Sequence, residues 1–532
     1  MAQQAQGRGN ELQDGDQIFT GFNSRDNPTV LKEGTLSLSQ NFRLNRGIAT
    51  ARKGIKKLLN INTTAYGIRF VTTFRNTNGT DTIILVCRLG LYKYDVATST
   101  IAGPILYASF GTIESTDRVD AFQMMGKLII LRGFDKKPLI WDGNATITQV
   151  GTAIKHMPNS NQGIYINNRA VVQSGSDEIS ISHYLDIDHF ELMDVFKIND
   201  GSNEEIVAIA PWVLNEFVIF MRNRLYYASV GAGAYNAGDT PLSADSYVKV
   251  LATDIGCVAP KSITQAGGGM LFLSDAGVYA FTPQQATTPE GMRAGIVGEP
   301  LSAPIEDIIY RINQSAVKGA CSAYYNNRYY LAVPLDGSLV NNVVLIFNFV
   351  NKQWESIDTF PEGIDIQSMF TAVYNGQKRL FFIDKDYGIF LTEELDKGDN
   401  YNHSTVNNVL PIIPTFILRD EIRWSIYPID SVIKTRSYNF GITEDKRYSQ
   451  VELDVSLTNG SQVTTSYMST NPDAEVIIDE FGSPSNYANI RDLPIRKIGS
   501  SCIIKVQSFN GEANIRSIAI TGMRTGTNIR SS

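Results

Sequence analysis

From about residue 65 onward, the hydrophobic positions fall into short apolar runs broken by Gly, Asn and Asp. Short apolar runs and period-two alternation between turn residues predict β-strands. One strand type recurs, usually after a turn that carries Lys or Arg, and its starts step by roughly 40 to 60 residues, the spacing of propeller blades. Its copies lie at residues 82–86, 127–131, 169–172, 217–220, 270–273, 328–331 and 379–382.

A second strand type, often Gly followed by apolar residues and Tyr or Phe, comes after a further turn in several of these units. It lies at residues 90–94, 225–227, 277–281, 343–347 and 388–391. Because both faces of such strands are apolar, the sheets must pack face to face, and radial repetition meets that need. We predict a β-propeller of six or seven blades over residues 65–395, with two sandwiches in series as the alternative.

The chain outside the repeats divides into three parts. Residues 1–64 are predicted to be an N-terminal arm and docking segment, and residues 396–411 a linker or long loop. Residues 412–532 contain alternating strands, such as 451–457, and predict a β-sandwich-like section, or outer blade strands, with a loose basic tail. The predicted fold is therefore all-β, and the best candidate for a short helix is residues 305–312.

Composition narrows the class of protein. Hydrophobic residues make up 43% and charged residues 19%, which is typical of globular chains, and the net charge of −7 argues against a classical DNA reader. The N-terminus has no apolar signal-like region, and no apolar run approaches membrane-spanning length, so we expect a protein that is soluble when made and lacks stable membrane insertion. The four cysteines are scattered, as expected for buried thiols in a protein assembled in a reducing cytoplasm.

One loop could hold a metal. His183, Asp186, Asp188 and His189 lie close together in sequence, and His and carboxylate side chains are metal ligands. Their spacing matches no known motif, so we interpret the segment as a solvated acidic loop between blades.

Other motifs are structural. Gly267–Gly269 precedes a strand rather than a helix, which favours a tight turn over a phosphate loop. Residues 274–277 match half of a sialidase Asp-box that is not repeated. We expect no catalytic residue, no cofactor and no enzymatic activity.

A basic run lies between residues 43 and 57 and contains no acidic residue. It could contact a phosphate backbone, but runs without interleaved aromatic residues are poor nucleic-acid platforms, so a solvated face or a subunit contact is favoured. Its members are Arg43, Arg46, Arg52, Lys53, Lys56 and Lys57.

Three groups of residues resemble one family. They are residues 27–31 with Gly34, Asn41, Gly47 and 52–54; residues 255–260 with 267–269, 271–274 and 277–279; and residues 435–441 followed by the strand from Val451. In this order they resemble the tail nozzle proteins of podovirus-type phages, the tail tubular protein B group, including propeller-type relatives that stabilise packaged DNA.

The resemblance implies a structural protein of the virion tail, assembled in the host cytoplasm. It implies a homo-oligomeric ring, as a hexamer, that encloses the DNA channel and meets the head-tail adaptor and tail fibres or spikes, while genomic double-stranded DNA passes non-specifically. It carries over no catalytic residue. Two alternatives remain: a propeller that binds glycans or a receptor, suggested by the Tyr-containing loop at residues 229–235, and a propeller hydrolase of polysaccharides.

Overall fold

A computed structural model describes most of the chain. The described residues are 11–60, 67–77, 79–95, 100–198, 201, 203–212, 215–231, 246–266, 269–281, 299–384, 388–396, 398–400, 426–458, 460–468 and 475–525. Among them strands predominate, and helix is limited to short turns. The helical segments are α1 (Glu306–Ile309) and the 3₁₀ turns Ala108–Phe110, Pro260–Ser262, Ala303–Ile305 and Val317–Gly319. The helix expected at residues 305–312 is thus confirmed, although it is shorter than predicted.

The N-terminal segment contributes seven strands that join different sheets. Among the described residues, four of them are strands of the two sheets of the C-terminal part, two pair only with each other, and the last joins the propeller. The strands are β1 (Glu11–Asp16), β2 (Gly21–Phe22), β3 (Thr35–Leu36), β4 (Leu38–Gln40), β5 (Phe42–Asn45), β6 (Ile48–Ala51) and β7 (Gly54–Asn60).

The middle of the chain forms seven antiparallel sheets in sequence order. The first blade contains β8 (Ile68–Arg75), β9 (Asp81–Cys87), β10 (Gly90–Asp95) and β11 (Thr100–Leu106). The second contains β12 (Asp120–Met124), β13 (Lys127–Leu131), β14 (Leu139–Trp141) and β15 (Ile147–Gln149). The third contains β16 (Gly163–Ile166), β17 (Arg169–Gln173), β18 (Glu178–Ser182) and β19 (Phe190–Lys197).

The remaining blades follow the same order. The fourth contains β20 (Ile206–Pro211), β21 (Glu216–Met221), β22 (Leu225–Ser229) and β23 (Tyr247–Ala252). The fifth contains β24 (Thr264–Ala266), β25 (Gly269–Ser274) and β26 (Gly277–Phe281). The sixth contains β27 (Cys321–Tyr325), β28 (Arg328–Val333), β29 (Val343–Asn348) and β30 (Gln353–Thr359), and the seventh β31 (Ile366–Tyr374), β32 (Gln377–Asp384) and β33 (Gly388–Leu395).

The sheets close into a ring around an axis lined by their first strands. β8 contacts β12, β12 contacts β16, β16 contacts β20, β24 contacts β27, β27 contacts β31, and β31 contacts β8. The fourth and fifth blades are joined by a shared apolar core and by a hydrogen bond of 2.6 Å from the Gln265 side chain to the Pro211 carbonyl. β7 supplies the fourth strand of the seventh blade by pairing antiparallel with β33. A strand from the start of the chain therefore completes the last blade. The predicted boundary at residues 64 and 65 falls between β7 and β8.

The core lies between the blades. In β9, Ile84 and Val86 pack towards the second blade, whereas Ile83 and Leu85 pack towards the seventh. Comparable apolar layers separate the other blades. This is why the second strand of every blade is apolar on both faces, the pattern that identified the repeats. The four cysteines are buried and unpaired, as expected.

The C-terminal part is a two-sheet β-sandwich that shares strands with the N-terminal segment. Its own strands are β36 (Ser431–Lys434), β37 (Lys446–Leu457), β38 (Gln462–Met468), β39 (Glu475–Gly482), β40 (Tyr487–Gly499), β41 (Ile503–Phe509) and β42 (Ala513–Arg524). One sheet has the order β40–β37–β42–β6–β5, with β1 also paired to β42. The other sheet, β4–β36–β41–β38–β39, continues directly from the sixth blade through β30. The short strands β34 (Asp399–Asn400) and β35 (Ile426–Tyr427) form a separate ladder.

One hydrophobic core joins the fifth and sixth blades, the sandwich and the N-terminal segment. It includes Leu271 of the fifth blade, Trp354 of the sixth, Phe42 of the N-terminal segment and Ile515 of the sandwich. A polar clamp adds to it, since Arg436 pairs with Asp14 and Asp16 at 2.6 and 2.9 Å. Propeller, sandwich and N-terminal segment therefore pack as one body.

Candidate functional site

The basic run splits into buried and exposed members. Arg43 and Arg52 are buried, and their guanidinium groups bind acids of the same chain. Arg43 lies 2.5 Å from Asp358 and 2.6 Å from Glu393, while Arg52 makes a two-pronged contact with Asp399 at 2.7 and 2.8 Å. The structure therefore gives these two arginines an internal role that leaves no donor at the surface for a DNA phosphate.

We call this buried group of Arg43, Arg52, Asp358, Glu393 and Asp399 the junction. It lies where the N-terminal segment meets the sixth and seventh blades and the ladder β34–β35. Burial by itself lowers the pKa of Arg43, but Asp358 and Glu393 more than offset this, so the pKa is raised. In the same way burial raises the pKa of Asp358, yet Arg43 outweighs it and lowers the pKa. Both groups are thus held charged.

The exposed members differ from these. Arg46 is exposed, and Lys53 is exposed and pairs with Asp396 at 2.9 Å. Lys56 and Lys57 are half-buried, and the Lys57 ammonium lies 5.6 Å from the ring centre of Phe390. For these four residues, contact with DNA or a neighbouring subunit stays a prediction.

A cavity of about 330 Å³ adjoins the junction. Its basic lining residues, Arg43, Arg52, Lys53 and Arg379, each have an acidic partner; that of Arg379 is Glu394, at 2.9 Å. A phosphate group entering this cavity would have to displace a carboxylate, so the cavity is poorly suited to bind one.

One end of the propeller axis is occupied by polar side chains from several blades. Arg118, before β12, donates to the Val207 carbonyl at 2.6 Å and lies 3.6 Å from Glu205. Lys261, before β24, donates to the Gln367 carbonyl at 3.4 Å. Since both contacts join non-adjacent blades, they reach over part of the opening at this end of the axis.

Asp120, at the start of β12, lies within the influence of the charges of Arg118 and Lys261. We call these three residues the axial group. Burial raises the pKa of Asp120 to about 6, although backbone N–H groups and the charges of Arg118 and Lys261 act in the opposite direction. Sequence reasoning missed the axial group because its members come from different blades and share no motif.

The histidine loop of the third blade brings together a different set of ligands from the predicted one. Asp188 accepts a hydrogen bond from Met157 N and lies 2.8 Å from His156 Nδ1, and Asp186 accepts from Asp188 N. His183 and His189 do meet, with ring centres 4.0 Å apart, and Glu191 joins them. The sequence signal for Glu191 is its position two residues after His189, which directly precedes β19, because an extended backbone places side chains at this spacing on one side.

The sandwich ends in two strands with an unpaired side. Among the described residues β39 pairs only with β38, and β40 only with β37. Along them Val476, Ile477, Ile490 and Ile498 are 45 to 59% exposed. An ion pair of 2.7 Å between Arg491 and Asp479 links the two strands. We call β39 and β40 with these four apolar side chains the open edge, since unpaired strands with exposed apolar residues are typical interaction surfaces.

Three of the predicted features fall partly outside the described residues. The Tyr-containing loop that suggested glycan binding is described only up to residue 231, and the predicted linker at residues 396–411 only to residue 400, without residue 397. Of the Gly267–Gly269 turn, only Gly269 is described, at the start of β25. Within the described chain no helix is long and apolar enough to cross a membrane.

The ring of seven four-stranded or three-stranded sheets, closed by a strand from the start of the chain, defines the fold as a β-propeller. No protein-family model matches the chain, and no curated protein matches it. Among solved structures, it is similar to BBS1N in complex with ARL6DN, with 12% identity, 64% of this chain and 97% of that chain covered, and a TM-score of 0.41.

Two further propellers give comparable values. BamB from Moraxella catarrhalis is 12% identical, with coverage of 65% of this chain and 98% of that one and a TM-score of 0.38. Virginiamycin B lyase from Staphylococcus aureus is 11% identical, with coverage of 64% and 99% and a TM-score of 0.37. At these low identities and scores, the fold rests on the sheet topology, and nothing about function follows from the likeness.

Proposed function

We propose that this protein is a structural subunit of a phage tail. It forms a homo-oligomeric, nozzle-like ring around the DNA channel and connects the head-tail adaptor to the distal parts of the tail. The open edge is the observation that carries the proposal, because such a surface on a soluble chain calls for a partner. The order of the nozzle-like motifs along the sequence supports the same function.

A ring requires a stiff subunit, and the packing of the chain supplies one. The sixth blade and one sheet of the sandwich form a continuous nine-stranded sheet, and the N-terminal segment is bonded to both bodies. A contact at the open edge is therefore transmitted to the propeller without a flexible hinge. Head-to-tail contacts between identical rigid subunits close a ring when the rotation between neighbours permits it.

The charge of the chain suits a channel for DNA. With a net charge of −7, the protein repels a phosphate backbone on average. A wall of this kind lets DNA slide rather than stick. The DNA would pass along the axis of the ring, which the subunits surround. It would not pass through a propeller, because Arg118 and Lys261 reach over part of the propeller's own axial opening.

The proposal is tested by placing charge on the open edge. We expect the purified wild-type protein to have the native mass of a closed oligomer, and Ile477→Glu combined with Ile490→Glu to shift it to the monomer, since each new carboxylate would be buried at the contact. Ile154→Glu is the matched control, because Ile154 is also highly exposed but lies in the propeller. A wild-type monomer, or an oligomer unaffected by the double substitution, would contradict the proposal.

A further inference from the structure

The outer hairpin of the third blade holds two histidines and a glutamate on one face. Ser182 pairs with Phe190, and His183 N donates to the His189 carbonyl at 2.9 Å, so the two histidines lie opposite each other where β18 turns into β19. Glu191 is two positions beyond His189 and projects to the same side. His189 Nε2 lies 3.2 Å from Glu191 Oε1.

We propose that His183, His189 and Glu191 form a binding site for one divalent transition-metal ion of the zinc type. One potential ligand atom from each residue lies within 4.8 Å of the other two. Two imidazoles and a carboxylate are a donor set that zinc accepts, with a water molecule at the fourth position. Calcium and magnesium prefer oxygen ligands only, so they fit this set poorly.

The surroundings of the His183 imidazole favour the binding of a metal cation there. Its Nε2 atom is shielded from solvent and has no hydrogen-bond partner within the described structure. A buried polar nitrogen in that state is unfavourable, and coordination of a metal would satisfy it. The buried carboxylate of Asp194 lies 4.0 Å from the same atom and would partly neutralise a bound cation.

Binding requires two local movements. The imidazole rings are stacked with 9° between their planes, and one ion cannot lie in both planes while they are parallel. The His189 ring is 41% exposed against 20% for His183, so His189 is the ring that can rotate. Glu191 must also release the Lys155 ammonium, which lies 2.8 Å from its Oε1 atom.

Calorimetric titration of zinc into the chelator-treated, full-length protein tests the site. We expect one ion per chain in the wild type, and at least a tenfold loss of affinity in His189→Gln and in Glu191→Gln. His156→Gln is the control, because His156 belongs to the same region but pairs with Asp188 outside the cluster. Unchanged affinity in His189→Gln, or no binding by the wild type, would overturn the proposal.

A second measurement requires no variant. Cobalt titrated into the same wild-type protein is expected to give the visible absorption of a four-coordinate ion, and zinc is expected to displace it. The spectrum of a fully hydrated cobalt ion would overturn the proposal. The result does not depend on the proposed ring, since the open edge lies in the sandwich and this cluster in the third blade.

Discussion

At the scale of single residues, the junction shows that the basic run between residues 43 and 57 is not one continuous surface patch. Arg43 and Arg52 belong to a stretch without acids, yet their partners are supplied by residues more than 300 positions later in the chain. Buried charges are tolerated only when they are paired and hydrogen-bonded. The basic run therefore contributes some residues to the surface of the protein and others to its interior.

The substitution Asp358→Asn tests the junction. It removes the charge that faces Arg43 while keeping the shape of the side chain, and we expect it to lower the free energy of unfolding by about 3 kcal/mol, the size typical of a broken buried ion pair. Urea denaturation measures the effect. Asp336→Asn is the control, because its pair with Arg311 is exposed and should contribute less than about 1 kcal/mol.

The effect of Asp358→Asn should also depend on pH. The pKa of Asp358 is lower in the folded chain than its usual value of 3.8. Its charge therefore stabilises the fold above that value, and the stabilisation is lost as the pH falls through the folded-state pKa. The difference between wild type and variant should shrink in acid, and a constant difference would contradict the ion-pair account.

The contribution of Asp120 in the axial group to stability should depend on pH in the opposite direction from that of Asp358. The folded-state pKa of Asp120, about 6, lies above the usual 3.8, so folding is favoured at low pH and penalised as the pH rises through about 6. Asp120→Asn keeps an acceptor for Gly163 N, which lies 3.0 Å away, and loses the charge. We expect the variant to gain about 1–2 kcal/mol over wild type above pH 6. If the free energies of unfolding of the wild type and the variant keep a constant difference through pH 6, this prediction is wrong.

At the scale of elements, β7 holds the propeller closed, and it begins at a point of close backbone contact. A Cβ atom on Gly54 would lie 1.7 Å from the carbonyl oxygen of Gly398. Only glycine fits there unless the ladder β34–β35 moves away. The pairing of β7 with β33 and the contact with Gly398 therefore occur together.

The substitution Gly54→Ala should push β7 and the ladder β34–β35 apart. We expect a loss of more than about 3 kcal/mol in the free energy of unfolding, because the clash is with backbone rather than with a movable side chain. Gly319→Ala is the matched control, since no atom lies within 4 Å of the position of its Cβ. Thermal melting of both variants distinguishes them, and equal melting temperatures would contradict the role given to Gly54.

The sequence predicted some elements of the propeller well and others poorly. All seven strands of the first predicted type are second strands of blades, because these strands are covered on both faces. First and outer strands, such as β11, have weaker patterns since one or both faces are exposed. The pairing of β7 with β33 could not be predicted, because its partner lies more than 300 residues away.

The candidate sites were predicted only in part for the same reason. His183 and His189 are close in sequence and were singled out, whereas Glu191 was missed. Asp186 and Asp188 were also singled out, but they bind backbone N–H groups and His156 instead of joining the cluster. The axial group and the open edge depend on which strands become neighbours. Local pattern contains little information about that arrangement.

At the scale of the whole molecule, the account rests on a stiff body that presents the open edge of the sandwich to a partner. The shared core and the continuous sheet explain the stiffness, and β39 and β40 provide the surface. If this body assembles as proposed, the propeller forms part of the wall of a ring. The exposed Arg46 and the half-buried Lys56 and Lys57 would then lie at subunit borders or near DNA, and their positions in the ring would decide between these roles.

Electron microscopy of the purified full-length protein tests this central claim most directly. We expect closed rings with a single open lumen wide enough for duplex DNA, in which β39 and β40 of each subunit contact the next subunit. Particles of monomer size at every concentration, or rings whose centre is filled by protein, would contradict it.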